Sequence, residues 1–158
     1  MTFEEIYKVI KEKFGDYVGE LVNNPPSDAF VEVSAEKLFD ICLELRDNPE
    51  LDFDYLMCLS GVDLPENLQV VYHLYSMRKK HKFVLKVTVP KENPKVPSIE
   101  RIWRSADWHE REAYDLFGVI FEGHHNLIRI LLPYDWEGYP LRKDYKEPET
   151  YHGMKVPY

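Results

Sequence analysis

Two apolar runs constrain this chain more than any other feature: residues 68–77 (LQVVYHLYSM) and 82–89 (KFVLKVTV), separated by the basic turn Arg78-Lys79-Lys80-His81. Both are rich in Val, Tyr and Phe, which suit a pleated, half-buried surface, and the short polar link predicts a β-hairpin. In the second run Phe83, Leu85, Val87 and Val89 alternate with Val84, Lys86 and Thr88, so one face is core and the other mostly polar. An isolated hairpin is marginal in water. The chain must therefore add strands and lay helices over the apolar face. The positive charges at 78–82 read as a solvated hairpin tip.

The material for that cover lies upstream. Thr2 can cap a helix with Phe3, Ile6, Val9, Ile10 and Phe14 at helical spacing, and Gly15 can stop it. Residues 23–28 (NNPPSD) form a connector, because paired prolines and Asx residues oppose both regular structures. Phe30-Val31-Glu32-Val33 predicts a short strand. Ser34 is placed to cap a second helix reaching Arg46, with Leu38, Ile41, Cys42 and Leu45 on its buried stripe. Residues 53–62 predict a further strand. The expected fold class is α+β: two layers, a small mixed or antiparallel sheet with helices, plus an extended irregular C-terminal segment.

After Pro90 a proline-punctuated loop leads to Trp103, and Ser105 can cap a third helix, about 105–117, stopped by Gly118. Residues 118–158 show no long periodic segment, which is more irregular chain than a compact domain carries on its own. They are also too aromatic for a solvated tail: Tyr134, Trp136, Tyr139, Tyr145, Tyr151 and Tyr158 would expose large apolar area. This predicts an α+β domain over 1–117, including the third helix, and a partner-binding segment over 118–158.

The residues offer little chemistry. With 28 acidic against 20 basic side chains, a net charge of −8 disfavours a nucleic-acid partner, which needs a basic stripe. No apolar run approaches the roughly 20 residues of a transmembrane helix, so membrane association is expected only through a partner. Cys42 and Cys58 form no CxxC pair and cannot supply the four thiolates of an iron–sulfur cluster. Glu110 and Glu112 lie on nearly opposite sides of the third helix and cannot share a reacting atom. Arg111 and Asp115, four residues apart, are expected to pair within that helix. His124 and His125 should point in opposite directions on extended chain, and neither His109 nor His152 completes a familiar ligand spacing, so no metal centre is expected. No GxSxG, GxGxxG or GxxxxGKS motif is present. Arg142-Lys143-Asp144, following Trp136, Gly138 and Pro140, suits docking, since rigid aromatics and Arg supply contact area and bidentate pairing.

The run 110–119 (EREAYDLFGV), with Phe121, Gly123-His124 and Arg129-Ile130-Leu131, resembles the signature of the respiratory complex I 30 kDa subunit family. Residues 135–145 (DWEGYPLRKDY) resemble its second block, and 91–99 (KENPKVPSI) with Trp103 are similar to the loop before its signature helix. The chain departs from that pattern at His125, where most members have proline, and at Ile128 and Lys146.

The resemblance implies a structural and assembly subunit, without catalytic residues, in the peripheral arm of a proton-translocating NADH-quinone oxidoreductase. It implies docking onto the 49 kDa-type (D) subunit and contact with other peripheral-arm subunits. The residues implied in that contact are Glu110, Arg111, Glu112, Asp115, His124, Arg129, Trp136, Leu141, Arg142, Lys143, Asp144 and Tyr145. No cofactor is expected in this chain; FMN, iron–sulfur clusters and quinone sites would lie in partner subunits. The implied location is peripheral, on the cytoplasmic face of a bacterial inner membrane, or the stromal side if plastid-type. The alternative is a homologous subunit of a membrane-bound hydrogenase or formate hydrogenlyase complex.

Overall fold

A computed structural model describes residues 1–156. Its centre is a five-stranded mixed sheet of order β1-β2-β5-β4-β3, built from β1 (Val18–Val22), β2 (Phe30–Val33), β3 (Tyr55–Asp63), β4 (Asn67–Ser76) and β5 (His81–Pro90). The expected hairpin is β4–β5, paired without a break from Asn67↔Pro90 to Ser76↔His81. In this sheet β2–β5 is the parallel pair. That pair needs a long crossover, and the chain between its strands supplies α2 (Leu38–Asp47), β3 and β4.

Alternation along β4 and β5 sends Leu68, Val70, Tyr72, Leu74, Phe83, Leu85 and Val87 to one face, all at most 1% exposed. Ile6 and Ile10 of α1 (Phe3–Phe14) and Leu38, Ile41, Cys42 and Leu45 of α2 join the same core. At about 25 cal/mol per Å² of apolar surface, each such side chain contributes roughly 1.5–3 kcal/mol. The N-terminus of α1 has a full capping box: Glu5 N–H donates to Thr2 Oγ1 at 3.3 Å, and Thr2 N–H donates to the Glu5 carboxylate at 2.8 Å. Ser34 does not cap α2 directly. A 3₁₀ turn over Ala35–Lys37 intervenes, and Ser34 makes no side-chain cap bond.

The third helix, α3 (Ala106–Phe117), falls on the expected span, ending at Gly118 in the left-handed conformation (φ 75°). Ser105 does not cap it; its hydroxyl donates to the Leu56 carbonyl at 3.4 Å. Strand β3 admits the helix closely: a Cβ at Gly61 would lie 2.6 Å from the Phe117 ring. Further short strands lie beyond the main sheet. β6 (Lys95–Pro97) pairs in parallel with β7 (Ile120–Glu122), bringing the chain after α3 back beside the chain before it. The pair β8 (Thr150–Tyr151) and β9 (Met154–Lys155) forms a small terminal hairpin. No described helix is long and apolar enough to cross a membrane.

Candidate functional site

The residues singled out by the sequence converge on α3 and the chain wrapped around it. Glu110 is fully buried, with the Ser98 hydroxyl donating to one oxygen at 2.6 Å and the Ile99 N–H to the other at 2.8 Å. Burial pushes its carboxyl up to about 8, further than those two bonds lower it. The nearby Glu100 and Asp107 carboxylates add to that rise, so the folded chain favours the uncharged acid. Glu112, two residues on, is exposed, as helical geometry requires.

Asp115 is the second fully buried carboxylate. One oxygen accepts the N–H groups of Ile130, Leu131 and Leu132 at 3.0, 2.7 and 2.9 Å. The other pairs with Arg129 at 2.7 Å. Burial alone would raise its pKa, but these donors hold it below the ordinary carboxylate range. The expected ion pair between Arg111 and Asp115 does not form. Arg111 instead donates to the carbonyls of Ile128 and Arg129, both at 3.2 Å, because Asp115 faces inward and Arg111 lies at the helix margin.

Arginines fasten the chain after β7 mainly through its backbone. Arg129 also donates to the carbonyls of Asp115 (2.9 Å), Trp136 (2.8 Å) and Gly138 (2.9 Å). Arg142 donates to the Phe117 carbonyl at 2.5 Å and stacks over Tyr139 at 4.7 Å. The Lys143 N–H reaches the buried Asp63 carboxylate at 2.6 Å, and that carboxylate also pairs with Lys91 at 2.6 Å. Trp136 and Tyr145 hold each other through an Nε1–H···O bond of 3.0 Å. Residues 127–145 thus form a strap bound to α3 and to the end of β3.

The histidines also depart from expectation. The rings of His124 and His125 stack at 5.1 Å with 16° between planes, because the chain turns at Gly123 (φ 84°) and is not extended there. His124 Nδ1 accepts the Asn126 N–H at 3.0 Å, so the ring proton lies on Nε2, directed at the Asp107 carbonyl 3.2 Å away. His125 meets the buried Glu100 twice: its N–H donates at 2.8 Å, and Nδ1 lies 2.5 Å from the other carboxylate oxygen. Burial opposes ionisation of Glu100, but the His125 contacts and the nearby His124 hold its carboxyl below the usual range.

The predicted interface set therefore divides. Glu110 and Asp115 are sealed inside this chain, and the His124 side chain has no exposure. Arg111, Arg129, Arg142, Trp136 and Tyr145 are half-buried and bonded within the chain. Glu112, Leu141, Lys143 and Asp144 are exposed. Sequence reasoning missed Asp107, in the first turn of α3 itself, and Asp63, Lys91, Ser98 and Glu100, which come close to the signature through β6–β7 pairing and the β3 edge. The named contact residues also omit the exposed apolar residues Trp108 (68%), Ile128 (53%), Leu131 (63%) and Tyr134 (93%), of which Tyr134 entered only as one aromatic of the C-terminal segment. Only their apolarity marked them, and apolarity alone does not distinguish core from contact surface.

Comparison with known proteins agrees with this architecture. Residues 31–151 match the family described as respiratory-chain NADH dehydrogenase, 30 Kd subunit. The chain is 52% identical over 157 residues to the C subunit of the NADH-quinone oxidoreductase of Chloroherpeton thalassium, spanning 98% of this chain and 65% of that protein. It is 49% identical to the corresponding C subunit of Chlorobium phaeobacteroides, spanning 96% of this chain and 93% of that one. Among solved structures, a trypsin-resistant fragment of Nqo5 superimposes with a TM-score of 0.66 at 29% identity, covering 80% of this chain and all of that fragment. A chain of the membrane-bound sulfane sulfur reductase, an archaeal respiratory membrane complex, gives a TM-score of 0.74 at 28% identity, covering 90% of this chain and 85% of that one. With most of its sheet, its signature helix and its strap inside the matched span, the chain belongs to the 30 Kd subunit family of the respiratory-chain NADH dehydrogenase.

Proposed function

We propose that this chain is a structural and assembly subunit in the peripheral arm of a proton-translocating NADH-quinone oxidoreductase, docking onto the D-type subunit. The observation carrying the docking is the outward side of α3 and its strap. Trp108, Ile128, Leu131, Tyr134 and Leu141 project from a backbone that Asp115 and three arginines hold in place. Large apolar side chains on a rigid support, with charges such as Glu112, Lys143 and Asp144 nearby, have the character of an interface core and rim.

Electron transfer and quinone reduction belong, on this reading, to partner subunits that carry FMN and iron–sulfur clusters, and this chain supplies no redox cofactor or catalytic residue. Attachment to the cytoplasmic face of the membrane would come through the complex. A second reading, a homologous subunit of a hydrogenase-type or related membrane complex, draws support from the likeness to the sulfane sulfur reductase chain. Affinity purification of the tagged chain from detergent-solubilised membranes tests both. A chain shortened by residues 134–158 should lose co-purification with the D-type subunit while its sheet stays folded. Undiminished co-purification would refute docking through the strap, and recovery of hydrogenase-type partners would favour the second reading.

A further inference from the structure

The β6–β7 pairing gathers four potential ligand residues that the docking role does not use. The ligand atoms of Glu100, Asp107, His124 and His125 all lie within 4.8 Å of one another. They come from three separate segments: the loop before α3, the first turn of α3, and the turn after β7. His124 is the weakest ligand, because its Nδ1 accepts the Asn126 N–H and its proton therefore occupies Nε2. A metal at Nε2 would need that nitrogen bare, leaving the ring without either proton. The other three residues carry no such obstacle. Asp107 Oδ1 is buried and makes no well-aligned hydrogen bond among the described residues, its nearest polar neighbour being His124 Nε2 at 3.2 Å. Glu100 is 3% exposed and offers a carboxylate. His125 turns Nδ1 inward to Glu100, while its side chain is 54% exposed, which leaves a path from solvent.

We propose that Glu100, Asp107 and His125 form a site for one divalent first-row cation, of which Zn²⁺ is the fitting and redox-inert member. Two carboxylate oxygens and an imidazole nitrogen suit Zn²⁺ better than Mg²⁺ or Ca²⁺, which take all-oxygen shells. The ion takes the place of the proton at His125 Nδ1; the neutral ring that ligates carries its one proton at the solvent-facing Nε2, and any second proton leaves to solvent. Water fills the fourth position on the exposed side. With metal–ligand distances near 2.0–2.2 Å, tetrahedral neighbours sit roughly 3.4 Å apart. The 2.5 Å approach of His125 to Glu100 must then widen by roughly 0.9 Å, a shift the half-exposed imidazole can make. His124 keeps its place as a donor to the Asp107 carbonyl, orienting the first turn of α3. The three ligands are distinct from the exposed residues assigned to docking, so the site stands independently of that role.

The test is titration of the full chain with Zn²⁺ alone, read by calorimetry and native mass spectrometry, with Co²⁺ absorption to report an imidazole ligand. The expected result is saturable binding at one ion per chain. His125→Ala should weaken it at least ~100-fold, since even supporting residues commonly cost 10–100-fold. That variant keeps the backbone N–H bond to Glu100, so the fold persists. Asp107→Asn should weaken binding similarly, and the double variant His109→Asn/His152→Asn should bind as the parent does. Absence of saturable binding, unchanged affinity in His125→Ala, or loss in the His109/His152 variant would each overturn the assignment.

Discussion

Replacing Glu110 by glutamine should make the protein less sensitive to alkali. Glutamine reproduces the neutral acid: its carbonyl accepts the Ile99 N–H, and its amide faces the Ser98 hydroxyl. In the parent the carboxyl is raised from an ordinary 4.5 to about 8 by burial. The folded chain thus retains a proton that the unfolded chain releases. The stability associated with that proton is complete below pH 4.5 and is lost as pH rises through about 8. Between pH 6 and pH 9 a single group with those two pKa values removes roughly 2–3 kcal/mol. For a domain of this size that corresponds to roughly 5–10 °C in melting temperature. The assay is urea unfolding of both proteins at pH 6, 7.5 and 9 in the presence of a chelator, comparing differences between them so that shared histidine titrations cancel. The parent should lose roughly 2–3 kcal/mol more than Glu110→Gln over that range. Equal losses would refute the buried-acid assignment.

Other predictions concern the strap and its anchors. Asp115→Ala removes the carboxylate partner of Arg129, leaves three backbone N–H groups unpaired and should cost about 3–5 kcal/mol, measured by chemical denaturation; a loss below about 1 kcal/mol would mean the carboxylate is not a structural hub. In Asp115, whose pKa is lowered on folding, the same contribution is present above the unfolded value near 3.9 and fades as pH falls through the lower folded value. The difference between the parent and Asp115→Asn should accordingly shrink in acid. Arg142→Ala should reduce recovery of the chain in its complex without altering quinone reduction per assembled complex; normal assembly with lost turnover would contradict a structural role. Trp103→Phe removes the indole N–H bond to the Phe53 carbonyl (2.9 Å) and should cost about 1–3 kcal/mol by leaving that buried carbonyl unpaired, read from the same denaturation curves.

The hairpin, both upstream helices and the α3 span were legible because each carries a strong periodicity with a terminating residue: Gly15, Gly118, or the basic turn at 78–81. β1 and β6 were not, since Val18–Val22 and Lys95–Pro97 are too short to show alternation and are stabilised by neighbours distant in sequence. The same distance hid the carboxylate environments. Nothing between Ser98 and Glu110 announces that a hydroxyl will meet a buried acid, and the pairing of Arg129 with Asp115 outcompetes the nearer Arg111. Local spacing also misled at His124-His125, where a glycine in a left-handed turn aligned rings that extended backbone would have separated.

The arginine contacts that set the path of the strap end mainly on main-chain carbonyls: those of Asp115, Phe117, Ile128, Arg129, Trp136 and Gly138. Arg46 holds the Ile102 carbonyl in the same way on the other side of α3. A carbonyl is the same acceptor whatever side chain its residue bears. Substitution at the exposed positions 128, 131, 134 and 141 therefore leaves the anchoring intact, provided the arginines and Asp115 persist. Lineages can diverge at those positions in step with a changing partner, and the arginine–Asp115 framework is where drift should be slowest.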